Sequence, residues 1–262
     1  MKSCHYQTEY LYKAWARWSR STRHSMQLKK KLCTLRFTNM SHSNASTTYP
    51  ALGEQGAIES ELPPIDFYFD FLSAFGYFAS LRIDDIAARH GRRVQWHCML
   101  LGVSVMKVMG LKPLLDTPLK SDYVLRDAPR YMRRHDLNPI RKVSDPMMDP
   151  RPSARAFYWI KRHYPGQEQA FAKAVFESYW SQGNDLADST QIVALAPALG
   201  IDPVMLERGL NSDEARTDLR EYVSASIDRG VFGSPFMIVD GEPFWGCDRL
   251  EMLDEWLATG GW

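Results

Sequence analysis

The chain of 262 residues predicts an α/β domain in which a small sheet, built from two separated stretches, holds a long helical block between its halves. Three observations predict it. Alternating aromatic residues from Ile65 give way at Ser73 to helical spacing and then to a second alternating run, which is a β-α-β unit. Almost every apolar pattern from about residue 103 to 229 is helical. Two apolar-aromatic runs then flank Asp240-Gly241 and lead into a closing helix.

In the opening run, IDFYFDFL, Ile65, Phe67, Phe69 and Phe71 alternate with Asp66, Tyr68, Asp70 and Leu72, and aromatic content with period two means a strand. From Ser73 the chain reads SAFGYFASLRIDDIAARHG, with Phe75, Phe78, Ala79, Ile83, Ile86 and Ala87 near one helical face and Gly91 after the last turn. This predicts one helix of about 17 residues stopped by a glycine at C′. RRVQWHCML follows as the second strand, which must run parallel to the first and join it right-handedly. The helical block includes SARAFYWIKRHY, QEQAFAKAVFESYWSQ, DSTQIVALAPALG and DEARTDLREYVSASIDRG, the last starting after Asn211 with Glu214 as a capping-box partner. FMIVDGEPFWG reads as a hairpin, because both central residues of a type I′ turn need positive φ. Asp248 is expected to begin the last helix, with Glu251 three residues on as its capping partner. The order β-α-β, helices, β-β-α is the thioredoxin-like arrangement with an inserted all-helical domain. Residues 65–102 and 230–262 are the expected thioredoxin-like part, and 103–229 the insert.

Residues 1–64 read as an extension outside this fold, either disordered or not part of the native chain. Up to Met40 there are nine Lys or Arg against one acid, Glu9, leaving 23 basic and 30 acidic residues in the remainder. The extension could be an Arg-rich targeting peptide, though it lacks an apolar h-region, or translation could begin at Met40. The mildly acidic remainder has no electrostatic reason to bind phosphate backbones, so nucleic acid is not an expected partner. No apolar run approaches the length of a membrane span, so a soluble protein is expected. Cys4, Cys33, Cys98 and Cys247 form no CxxC pair and no metal-ligand spacing, which excludes a zinc motif and fits a reducing, cytoplasmic compartment.

FYFDFLSAFGYFAS and GVFGSPFMIVDGEPFWGCDRLEML, with the helical insert between them, resemble the 2-hydroxychromene-2-carboxylate isomerases and the kappa-class glutathione transferases, in the DsbA-like branch of the thioredoxin superfamily. The likeness runs from about residue 65 to 258. Redox relatives place the first cysteine of CxxC where this chain has Ser73, and the tetrad Ser73-Ala74-Phe75-Gly76 contains no thiol. Read alone, Ser73 is an excellent N-cap. The resemblance implies that it also binds and ionises a thiol supplied by glutathione, and that it is the catalytic residue. It further implies a cis bond at Ser234-Pro235, with Ser234 pairing with the cysteinyl unit. Trp245, Gly246, Cys247 and Asp248 would hold the γ-glutamyl end, Asp248 accepting the ammonium group. A reactive thiol at Cys247 is a minor alternative. Lys120 and Tyr123 fall in the family's lysine-tyrosine stretch and are expected near a small aromatic substrate. Tyr68, Phe75, Phe78 and Trp245 could line an aromatic pocket or simply pack in the core.

The resulting expectation is a glutathione-dependent isomerase of an aromatic-degradation type. Kappa-like transferase or peroxidase activity and a non-catalytic glutathione- or peptide-binding module stand as alternatives, and a homodimer is compatible with any of them.

Overall fold

The computed structural model describes residues 62–262, so the expectations about residues 1–61, including the start at Met40, lie outside the described residues. β1 (Ile65–Phe69) occupies the centre of a four-stranded sheet of order β2-β1-β3-β4. It runs parallel to β2 (Val94–Cys98) and antiparallel to β3 (Phe236–Val239), and β3 pairs with β4 (Glu242–Trp245). The expected two-residue hairpin is present: Val239 faces Glu242, and Asp240 and Gly241 have φ of 52° and 88°.

The central position of β1 changes the meaning of its alternation. Phe67 and Phe69 pack against Trp96, Phe157 and Phe176, with ring centroids 4.8 to 5.5 Å apart. Each such fully buried aromatic contributes about 1.5–3 kcal/mol of transfer free energy. The opposite face, which carries Asp66, Tyr68 and Asp70, is covered as well. There Tyr68 is buried with Met99, Val231, Phe236 and Ile238, while Asp66 accepts from Arg229 at 2.6 Å and pairs with His97 at 2.8 Å.

The predicted long helix is two short ones, α1 (Ala74–Ser80) and α2 (Ile83–Arg89). The break at Leu81 and Arg82 has a local and a distant cause. The Ser80 hydroxyl donates to the Tyr77 carbonyl at 2.7 Å, which loosens the last turn. The Arg82 guanidinium is held by the Tyr131 hydroxyl at 3.3 Å and by Glu251 at 3.0 Å. Gly91 closes α2 at φ 63°, as expected.

Between β2 and β3 the regular elements are helical: α3 (Lys120–Arg134), α4 (Arg151–His163), α5 (Glu168–Phe176), α6 (Ser189–Val193), α7 (Pro203–Asn211) and α8 (Asp213–Asp228). The cap of α8 is Ser212, whose hydroxyl accepts from Ala215 N at 3.1 Å. Asn211 belongs to the preceding helix, and Glu214 pairs with His163 at 2.7 Å instead of capping. The last helix, α9 (Leu250–Thr259), begins later than expected, after a 3-10 turn at Cys247–Arg249. Asp248 caps nothing, because its carboxylate folds back over Gly246, whose φ is 113°, while Glu251 is taken by Arg82.

Helices α4 and α7 cross where a glycine lets the indole of Trp159 lie flat. A Cβ at Gly209 would stand 2.2 Å from Trp159 Cε2, and Trp159 is itself buried. Gly209→Ala is therefore expected to lower the unfolding free energy by roughly 1–3 kcal/mol through overpacking, despite the better helix propensity of alanine. Urea unfolding measures it.

Candidate active site

β1 ends at Phe69, and the chain must turn before α1. The Trp180 indole fixes that turn by donating to the Phe71 carbonyl at 2.9 Å, and Ser73 N donates to Asp70 O at 2.9 Å. Ser73 is the N-cap of α1, with extended backbone (φ −85°, ψ 112°) and a hydroxyl oxygen accepting from Gly76 N at 2.9 Å. The same hydroxyl donates to the carbonyl of Ser234 at 2.9 Å, and the hydroxyl of Ser234 accepts from Asp70 N at 2.9 Å. Two segments 161 residues apart are thus tied by reciprocal bonds.

Gly76 makes that approach feasible. A Cβ there would lie 2.7 Å from Ser234 Oγ and 3.1 Å from Ser73 Cβ. This is the tetrad position at which redox relatives would carry a second cysteine, and the packing against Ser234 leaves no room for a side chain there.

Ser234-Pro235 is cis. The Pro235 carbonyl accepts from Gly246 N at 3.0 Å, which draws the end of β4 toward the serine pair. Trp245 is 56% exposed, edge-on to Phe232 at 4.8 Å, and lies over Gly233, where a Cβ would be 2.3 Å from the indole nitrogen. Asp248 is exposed beside Arg249, at 3.4 Å. The structure therefore brings Ser73, Ser234, Pro235 and Gly246 into one hydrogen-bonded cluster, with Trp245 and Asp248 on its exposed side.

Residues 64–258 match the DSBA-like thioredoxin domain. A 2-hydroxychromene-2-carboxylate isomerase of Pseudomonas putida is 31% identical to this chain, covering 72% of this chain and 92% of the relative. The chain belongs to the 2-hydroxychromene-2-carboxylate isomerase family. A solved structure of such an isomerase superposes with a TM-score of 0.64 at 30% identity, over 76% of this chain and 95% of that one. Glutathione S-transferase kappa 1 of Caenorhabditis elegans is more distant, 23% identical over 75% of this chain and 92% of its own.

Two sets of residues stand apart from the cluster of this isomerase-family chain. Lys120 and Tyr123 are exposed at the start of α3. Among the described residues no hydrogen bond ties them to the Ser73 loop. Their helix meets α1 at its other end, where Tyr131 stacks on Phe78 at 5.1 Å, about 16 Å further along the helix axis. Tyr68 and Phe78 are core residues, 3% and 1% exposed, so the aromatic-pocket reading fails for both. Cys247 is buried, and burial above all, then Asp248, pushes its thiol up to about 12, which leaves it protonated at neutral pH. It is not a reactive thiol.

The residue that the sequence reading missed is Asp70. The sequence pattern assigns it no role beyond its place in the strand's alternation, yet it is 1% exposed and joins three segments. Its carboxylate accepts from Leu72 N at 2.9 Å and from Leu101 N at 2.7 Å, while its own N–H and C=O bind Ser234 and Ser73. An acid in an apolar run, two residues before a backbone N–H it can reach and three before a helix cap, was the available signal. Burial pushes the Asp70 carboxyl up to about 6, the two N–H donors oppose this, and Asp149 adds a smaller push in the same direction as burial.

A carboxyl whose folded pKa is raised binds a proton more tightly in the native state than in the unfolded one. Its contribution is then most favourable below about pH 4 and is lost as pH rises through about 6. Relative to Asp70→Asn, the parent is expected to lose about 2 kcal/mol of unfolding free energy between pH 4 and 7. Parallel denaturant titrations of both proteins read that difference, and flat, parallel curves would remove Asp70 as the cause.

Proposed function

We propose that this chain is a glutathione-dependent isomerase acting on a conjugated intermediate of aromatic degradation, as its relatives named 2-hydroxychromene-2-carboxylate isomerase suggest. The observation that carries the reading is Ser73. It is a hydroxyl at a helix start, in the position a redox relative gives to its attacking cysteine, beside a strand-entry carbonyl that suits a peptide backbone.

In this reading glutathione supplies the sulfur. Its thiolate adds to a conjugated carbon, forming a C–S bond while the electron pair of the former double bond moves onto the conjugated carbonyl. The resulting single bond rotates, the electron pair returns, the C–S bond breaks, and glutathione leaves unchanged. Ser73 holds the thiolate by its hydroxyl, and Ser234 before Pro235 pairs with the cysteinyl unit. Trp245, Gly246 and the backbone at Cys247 receive the γ-glutamyl end, and Asp248 accepts its ammonium group. Lys120 and Tyr123, exposed at the start of α3, are assigned to the substrate's carboxylate end.

Energetics assign most of the ionisation to the hydroxyl. Bringing a thiol of pKa ~8.5 to mostly thiolate at neutral pH needs about 2.7 kcal/mol of preferential stabilisation. With α1 only seven residues long, the helix start contributes near the lower end of its usual range, ~0.3 kcal/mol. A hydrogen bond to a charged acceptor contributes ~1.5–3 kcal/mol. Ser73→Ala is accordingly expected to reduce kcat/KM about 10- to 150-fold for 2-hydroxychromene-2-carboxylate with glutathione present. Unchanged turnover in the variant would overturn the assignment.

The kappa-class relative favours a second reading, a transferase or peroxidase that consumes glutathione. Product analysis separates the two: an isomerised substrate with glutathione recovered intact supports the first, a stable conjugate or oxidised glutathione the second.

A further inference from the structure

The hydrogen bonds of Ser73 place a condition on the site that its position alone does not. A serine hydroxyl has one proton. The carbonyl of Ser234 can only accept, so at 2.9 Å that single proton points at Ser234 O, and one of the oxygen's two lone pairs is engaged by Gly76 N–H. The proton needed to stabilise a sulfur anion is thus already committed. To reach a thiolate the hydroxyl must turn away from Ser234, and the carbonyl it leaves cannot follow. Ser234 is pinned on one side by Asp70 N–H on its hydroxyl, and the next carbonyl, of Pro235, is held by Gly246 N–H. A half-buried carbonyl deprived of its donor loses about as much as the new bond gains unless another donor replaces it.

We propose a partner exchange: the amide N–H of an acylated cysteinyl ligand takes over the Ser234 carbonyl, releasing the Ser73 hydroxyl to donate to the ligand's own sulfur. Ionisation of the thiol therefore depends on the backbone of the ligand that carries it. The site then selects N-acylated cysteinyl thiols over simple thiols at the step of activation as well as at binding, with Ser234 C=O as the specificity-determining group. This rests on the glutathione reading given above.

The exchange predicts a coupling between one ligand atom and one side chain. The full chain and Ser73→Ala are each titrated with glutathione and with its ester analogue, in which oxygen replaces the cysteinyl amide N–H. Calorimetry gives affinity, and thiolate absorbance against pH gives the pKa of the bound thiol. In the parent, the ester is expected to bind no more than about tenfold more weakly while its bound thiol ionises about one pH unit higher than that of glutathione. In Ser73→Ala the two ligands should ionise at the same pH. An equal thiol pKa for both ligands in the parent overturns the exchange, as does a shift of the same size in both proteins. A loss of ester affinity beyond about 100-fold also overturns it, since the N–H would then anchor the ligand as a whole, and so does a glutathione thiol that ionises in the parent as it does in free solution. Absence of glutathione binding to the parent at millimolar concentration is a different result, which removes the glutathione reading itself.

Discussion

The reciprocal pairing of Ser73 with Ser234 is the constraint on which the rest of the site depends. One serine ends a turn after the central strand and the other precedes an antiparallel neighbour; the Ser73 hydroxyl donates to the Ser234 carbonyl, and the Ser234 hydroxyl accepts from Asp70 N in the same turn. Neither bond is strong; a typical hydrogen bond contributes only about 0.5–1.5 kcal/mol net. Their value is geometric. They hold a hydroxyl, a helix start and the Ser234 carbonyl at one point, just beyond the C-terminal end of β1.

Asp70 is what makes that arrangement rigid. A carboxylate sealed away from water is normally accompanied by a cation, whereas this one relies on two backbone donors, Leu72 and Leu101, and burial raises its affinity for a proton as a result. The same residue contributes its N–H and C=O to the two serines, so its side chain fastens the segment after β2 while its backbone fastens the site. The fold accepts a strained electrostatic situation beside the groove and obtains a fixed turn from it.

What was legible in the sequence was whatever local chemistry decides. Asp240-Gly241 specifies a hairpin because no distant residue can change which residues tolerate positive φ, and the aromatic alternation from Ile65 specifies a strand for the same reason. Ser73 as a cap was readable from the change of period alone. The misreadings share the opposite character. Beside the local bond of Ser80, the pairing of Arg82 with Glu251 across 169 positions of chain marks the break after α1 and takes Glu251 from its expected cap. Asp70 went unnoticed because its burial is decided by segments far away in the sequence, around Leu101 and Ser234. The exposed placement of Lys120 and Tyr123 was equally invisible, since a stretch recognised by resemblance carries no information about which way its helix is turned.

The closure of position 76 bears on durability. The thiols at Cys98 and Cys247 are buried and held protonated, and the corner that would house a second sulfur is filled by the Ser234 hydroxyl. A protein whose reactive atom is its own cysteine is disabled when that atom is over-oxidised, and must be repaired or replaced. Under the glutathione reading proposed above, the damaged sulfur would leave on a dissociable tripeptide and the next molecule would restore the centre, so wear would fall on a renewable small molecule.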